Sequence, residues 1–357
     1  MIQSIFFAPY FSTIKPDFSM QNSFTYFLLL LTFPAFSQFS PRIILALDLG
    51  SAYEAKAADL DGDGDQDVVA GFENALVWYE NLDGQGSLSE TKVLNDNPWN
   101  YVSIQLVDLD KDGDTDVLTA SATNQNFSWY RNEGGGIFSA RINIFTANNA
   151  AFTVFAVDLD LDGDMDILTG HAQNSPTLSA VAYLKNNGSM SFNAPVNLDT
   201  DNTVDGITAA DYDGDGDVDV AAVFKLGDKL MFYQNNGNLS FSQLILSSTL
   251  DGASGIHSVD LDGDADLDLL ASARNNGAFG VSWFKNLGTN NFEWDTIGGY
   301  FQAETIFPAD LDGDADPDVL VAGDNFNQIG WFKNEGGGSF SFGANISENT
   351  AGAVGIH

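Results

Sequence analysis

The stretch Asp211-Tyr-Asp-Gly-Asp-Gly-Asp-Val-Asp219 puts five carboxylates on alternate positions of nine residues. Two carboxylates about 5 Å apart repel by about 3 kcal/mol at an effective dielectric of about 20, so a fold that gathers five needs a cation to offset them. The pattern recurs from Asp59, Asp108, Asp158, Asp211, Asp260 and Asp310, at intervals of 49, 50, 53, 49 and 50 residues. A period near 50 with short strands is the mark of a propeller or an array. Whatever the chain folds into must present the same acidic loop six times.

Each repeat has the same internal order. A short apolar run enters the first Asp, as in Ile104-Gln-Leu-Val-Asp108, and a second leaves the last, as in Val117-Leu-Thr119 and Val220-Ala-Ala222. An aromatic segment follows and ends in Asn: Asn81, Asn132, Asn186, Asn235, Asn286 and Asn334. Gly lies two residues after most of these Asn, and Asn with Gly supplies the positive φ of a tight hairpin. A Phe-led run closes the repeat and predicts strands over 138–144, 192–198 and 241–246. That makes four strands per repeat and no helical period. The prediction is an all-β chain of four-stranded antiparallel propeller blades.

The ends extend the pattern. Residues 39–45 match the Phe-led fourth strand but precede the first Asp loop. Residues 352–357 repeat the text of 252–257, after which Asp260 follows three residues on. The expectation is a seven-bladed propeller with six complete blades and a truncated seventh closed by the N-terminal strand.

In D-x-D-x-D-x-D-x-D, the carboxylates of positions 1, 3, 5 and 9 and the carbonyl of position 7 can converge on one cation. The candidate ligands are Asp59, Asp61, Asp63, Asp65 and Asp67; Asp108, Asp110, Asp112, Asp114 and Asp116; Asp158, Asp160, Asp162, Asp164 and Asp166; Asp211, Asp213, Asp215, Asp217 and Asp219; Asp260, Asp262, Asp264, Asp266 and Asp268; and Asp310, Asp312, Asp314, Asp316 and Asp318. An all-oxygen set of this size with flexible geometry suits Ca2+, giving about six sites. Zinc prefers His or Cys. A helical calcium hand needs Glu at position 12, where these loops carry Ala70, Thr119, Thr169, Ala222, Ala271 and Val321. The loop therefore reads as a β-hairpin. Ala265 and Ala315 replace the Gly found at position 6 elsewhere, where Ala is strained at positive φ, which predicts somewhat weaker or differently shaped sites in the last two loops.

With these Asp loops and the Phe192-Asn-Ala-Pro195 type of strand, the chain resembles the FG-GAP/VCBS repeat family, relatives of the N-terminal propeller of integrin α subunits. The resemblance spans 39–357. It implies a propeller with a calcium loop between the first two strands of each blade, and it carries no ligand-recognition residue over to this chain.

Thirteen Lys and Arg stand against 50 Asp and Glu, for a net charge of −37. Thirty of those acids lie in the six loops, so the charge is concentrated by design. It argues against nucleic acid, which needs clustered Lys and Arg, and against an anionic membrane surface. The absence of Cys excludes disulfides and thiolate chemistry. The uncharged run 24–36 is too short to span a membrane and suits a signal peptide over 1–37, with 1–19 an upstream extension if Met20 is the start. The propeller domain is then 38–357, on a secreted or cell-surface protein.

The chain thus reads as a non-enzymatic, calcium-rigidified binding, adhesion or structural module whose partner is an extracellular protein or polysaccharide. Alternatives are a lectin-like propeller, with Trp78, Trp129, Trp283, Trp331, Tyr183 and Phe232 as sugar-stacking candidates, and a part of a polysaccharide-degrading protein. The same aromatics could instead fill the wedges between blades. His257 recurs as His357 at one repeat position, which favours a structural role on the strand entering the loop.

Overall fold

The computed structural model describes residues 49, 51–147, 149–172, 180–199, 203–274, 280–289, 291–298, 303–323 and 328–348. The chain divides after Arg42, and every described residue belongs to the second unit. The expected leader over 1–37, the strand over 39–45 and the repeat start at 352–357 with His357 lie outside the described residues.

Among the described residues, twenty-four strands form six four-stranded antiparallel sheets, each built from strands consecutive in the chain. They are the blades of a β-propeller, numbered 1 to 6: residues 52–95, 101–146, 151–199, 204–247, 253–298 and 303–348. Within each blade the first and second strands pair so that Ala58 faces Asp67, Val107 faces Asp116, Val157 faces Asp166, Ala210 faces Asp219, Val259 faces Asp268 and Ala309 faces Asp318. The acidic loop is therefore the hairpin between those strands, and its ninth residue opens the second strand.

The second strands are six residues long, and in blades 2 to 5 they are buried throughout. They read as continuous apolar runs because each face packs on a different neighbour. Val69, Leu76 and Trp78 of blade 1 meet Tyr101, Ile104, Val117 and Tyr130 of blade 2. Leu168 and Tyr183 of blade 3 meet Val220, Ala222, Phe224 and Tyr233 of blade 4. Leu270 and Trp283 of blade 5 meet Val319, Val321, Ile306 and Phe332 of blade 6. The first strands of consecutive blades also pack side by side.

This packing settles most of the recurrent aromatics. Trp78, Trp129 and Trp283 are only 4–6% exposed, and Tyr183 and Phe232 are buried as well. They fill inter-blade wedges, so they are withdrawn as sugar-stacking candidates. Trp331 alone of the set is half-buried, on the outward side of blade 6, together with Leu311 and Leu320.

The fourth strands differ from expectation in the first half of the chain. Over 138–144 and 192–198, only the bridges Asn132 to Phe138 and Asn186 to Phe192 form before pairing resumes at Ile142 and Val196. In blade 2 the Ser139 hydroxyl accepts the Arg131 N–H at 3.1 Å, taking a donor away from the ladder. Ser89 does the same to Glu80 in blade 1. In blade 3 Pro195, just before the strand, has no N–H to offer. The fourth strand of blade 4 runs unbroken over Phe241–Ser247.

Candidate metal centres

The ninth Asp of each loop is the anchor. Asp67, Asp116, Asp166, Asp219, Asp268 and Asp318 are fully buried. One oxygen of each accepts the N–H of loop position 2, at 2.9–3.3 Å. The other accepts the N–H of the Asn that ends the third strand, at 2.7–2.8 Å. The first Asp then curls the loop: it accepts the N–H of position 6 at 2.9–3.1 Å.

The backbone can make this curl only by entering the left-handed region at positions 4 and 6. Loops 1 and 4 have Gly at both positions, Gly62 with Gly64 and Gly214 with Gly216. The other four each carry a side chain at one of them: Lys111 (φ 62), Leu161 (φ 59), Ala265 (φ 76) and Ala315 (φ 78). Strain was expected at Ala265 and Ala315. That at Lys111 and Leu161 was not, although their place at position 4 was readable in the sequence.

With the loop so curled, positions 1, 3 and 9 converge. In Asp59/Asp61/Asp67, Asp108/Asp110/Asp116, Asp158/Asp160/Asp166, Asp211/Asp213/Asp219 and Asp260/Asp262/Asp268, one carboxylate oxygen from each residue lies within 4.8 Å of the others. Position 5 (Asp63, Asp112, Asp162, Asp215, Asp264, Asp314) lies outside these trios and accepts the N–H of position 7 at 2.9–3.1 Å. Position 7 (Asp65, Asp114, Asp164, Asp217, Asp266, Asp316) turns its side chain to the neighbouring hairpin in loop 1: a Cβ on Gly84 would lie 2.4 Å from an Asp65 oxygen.

The donor set fits a hard cation. Asp110, Asp158, Asp160 and Asp262 each keep a buried oxygen with no hydrogen-bond partner. The Asp262 side chain is only 5% exposed. Burial pushes the Asp116 and Asp166 carboxyls up to about 6 and Asp219 up to about 7, and it raises Asp268 and Asp318 as well. A group so desolvated is held ionised by a nearby positive charge.

The third-strand Asn residues support the site, a role beyond the turn-forming one expected of them. Each amide nitrogen donates to the carbonyl of its own loop's eighth residue, at 3.1–3.2 Å. Three also reach the preceding blade: Asn132 to Leu60 O at 2.7 Å, Asn286 to Tyr212 O at 2.6 Å and Asn334 to Leu261 O at 2.7 Å. The acceptor there is loop position 2, so these Asn couple one acidic loop to the next. The signal was their strict recurrence one residue after a charged or amide side chain.

His257 stands on the first strand of blade 5, edge-on to Phe307. His171 is buried against Phe127 and Thr169, and burial lowers it to about 4.

The FG-GAP-like repeat family matches residues 59–119, 108–169 and 173–222. No curated protein sequence matches the chain. Among solved structures, an Agrocybe aegerita lectin recognising non-reducing terminal N-acetylglucosamine is similar with a TM-score of 0.61 at 20% identity, over 83% of this chain and 80% of the lectin. A putative 6-phosphogluconolactonase from Bacteroides uniformis has a TM-score of 0.58 at 15% identity, over 81% and 83%. Virginiamycin B lyase from Staphylococcus aureus has a TM-score of 0.55 at 13% identity, over 83% and 84%. At these identities the likeness is one of fold.

Proposed function

We propose that this chain, a β-propeller carrying FG-GAP-like repeats, is a secreted calcium-binding interaction module whose six loops rigidify the blades. The observation that carries the reading is the convergence of positions 1, 3 and 9, with buried carboxylate oxygens that lack partners in loops 2, 3 and 5. Ca2+ accepts six to eight oxygens with flexible geometry, and the position-5 carboxylates at the loop surface can swing onto it. In this reading calcium is structural: it offsets the repulsion in each loop, and the Asn ties carry that order from blade to blade. Calcium measured per chain after dialysis against excess Ca2+ should approach six; a chain that retains none overturns the reading.

The proposal includes a seventh blade packed beside blade 6. Its support is the face of blade 6 turned away from blade 5, where Leu311, Leu320 and Trp331 are only partly buried while Leu261, Leu270 and Trp283 of blade 5 are buried. The proposed partner is an extracellular protein or polysaccharide. A glycan array separates the two, since binding there favours the polysaccharide. No reaction is assigned, because the loop carboxylates are engaged within their hairpins.

A further inference from the structure

The residue just before each third-strand Asn lies over the acidic loop of its own blade. In five blades it is a donor, and it always takes the same oxygen of loop position 3. The Arg131 Nε pairs with Asp110 Oδ2 at 2.7 Å. The Lys185 ammonium pairs with Asp160 Oδ2, that of Lys285 with Asp262 Oδ2 and that of Lys333 with Asp312 Oδ2. In blade 4 the same place holds Gln234, whose amide donates to Asp213 Oδ2 at 2.9 Å. Blade 1 is the exception: Glu80 stands there and pairs with Lys92 of the fourth strand. What Arg, Lys and Gln have in common is a hydrogen-bond donor, not a charge.

The other oxygen of the same carboxylate behaves differently. Asp110, Asp160 and Asp262 each leave Oδ1 buried with no hydrogen-bond partner. These residues belong to loops 2, 3 and 5, where positions 1, 3 and 9 converge. The Asp262 side chain is only 5% exposed, so its unpartnered oxygen has little water to turn to. A buried polar atom left in this way is costly unless something occupies it. Each of the three carboxylates is thus gripped on one oxygen from the third strand, with the other left open.

We propose that Arg131, Lys185 and Lys285 are positioning residues for the metal: each holds Oδ2 of the position-3 Asp so that Oδ1 is offered to Ca2+. The inference rests on the calcium reading above. A ligating carboxylate is ordinarily fixed by a second hydrogen bond, and losing that bond costs about 10- to 100-fold in metal affinity. The opposing effect is repulsion between the ammonium and the metal. The Lys285 side chain is 31% exposed, so water screens its charge. Between single charges so screened, the effect on affinity is about fivefold or less. Positioning therefore outweighs repulsion, and the metal and the ammonium share one carboxylate by taking different oxygens.

The test is a Ca2+ titration of the whole chain, followed by nuclear magnetic resonance at the Gly263 amide of loop 5. Lys285→Met keeps an unbranched side chain and removes the donor; it should raise the calcium concentration at the midpoint by about tenfold or more. Lys285→Gln copies the residue at 234 and Lys285→Arg the one at 131, and both should leave the midpoint near that of the unaltered chain. Lys185→Met, followed at Gly163 of loop 3, should move in the same direction and serves where Lys285→Met does not fold. If the Met variants bind Ca2+ as tightly as the unaltered chain or more tightly, or if Lys285→Gln binds as weakly as Lys285→Met, the inference is overturned and the calcium reading stands. If Gly263 of the unaltered chain does not respond to Ca2+, both are overturned.

Discussion

Asn286 offers a sharp test of how the blades are held together. Its side chain is fully buried and makes three hydrogen bonds: Nδ2 to Tyr212 O at 2.6 Å, Nδ2 to Leu267 O at 3.1 Å, and Oδ1 from Gly288 N–H at 3.0 Å. Asn286→Ala removes all three and leaves the Tyr212 carbonyl stranded between blades 4 and 5. At about 1 kcal/mol for each bond, plus the cost of an unsatisfied buried acceptor, the loss should be about 3–5 kcal/mol. That is a large share of a typical folding free energy of about 5–15 kcal/mol. The assay is urea unfolding in saturating Ca2+, so that loop occupancy is the same in both proteins. Asn236→Ala is the comparison: that side chain is exposed, bonds only within its own hairpin and should cost under about 0.5 kcal/mol. If the two variants unfold at the same urea concentration, the inter-blade tie contributes nothing and the reasoning fails.

Two further outcomes are expected. Gly338 has a φ of +73°, and a Cβ there would lie 2.2 Å from the buried Trp283 ring, whereas Gly337, at φ +62°, has open space around it; Gly338→Ala should therefore lower the unfolding free energy measured in urea by about 1–3 kcal/mol more than Gly337→Ala. In chelator, the melting temperature should fall as pH rises from 5 to 8. The folded-state Asp116, Asp166 and Asp219 carboxyls sit at about 6 to 7 against an ordinary 3.8, so the folded state holds protons that the unfolded chain has released, and that advantage is lost as pH passes the folded values. Excess Ca2+ should reverse the slope, because the metal competes with protons for the same oxygens; differential scanning fluorimetry reads both.

Much of the fold was legible because the repeat shows every element six times. The Asp loop marks the first hairpin, and the recurring Asn marks the end of the third strand. Less legible was anything set by contact between blades. Trp78 and Trp331 occupy equivalent repeat positions, yet one fills a wedge and the other is half-exposed, since burial depends on what stands beside the blade. The broken fourth strands of blades 1 and 2 follow from Ser89 and Ser139 capturing a backbone N–H, a choice that strand patterning does not reveal. At the site, four carboxylates were expected to converge; positions 1, 3 and 9 come together, while position 5 is turned back onto the N–H of position 7. The cation contributed by Arg131, Lys185, Lys285 or Lys333 lies some twenty residues from the loop it serves and becomes visible only once the third strand is folded back.

The central claim is that the loops hold the propeller rigid by binding calcium, and thermal unfolding with and without chelator tests it most directly. Calcium bound only to the native state stabilises by RT ln(1 + [L]/Kd), about 1.4 kcal/mol per site at tenfold excess, or about 8 kcal/mol for six such sites. That is as large as a typical domain's whole stability. The account predicts that EGTA lowers the melting temperature sharply and that Ca2+ restores it; a melting curve that EGTA leaves unmoved contradicts it.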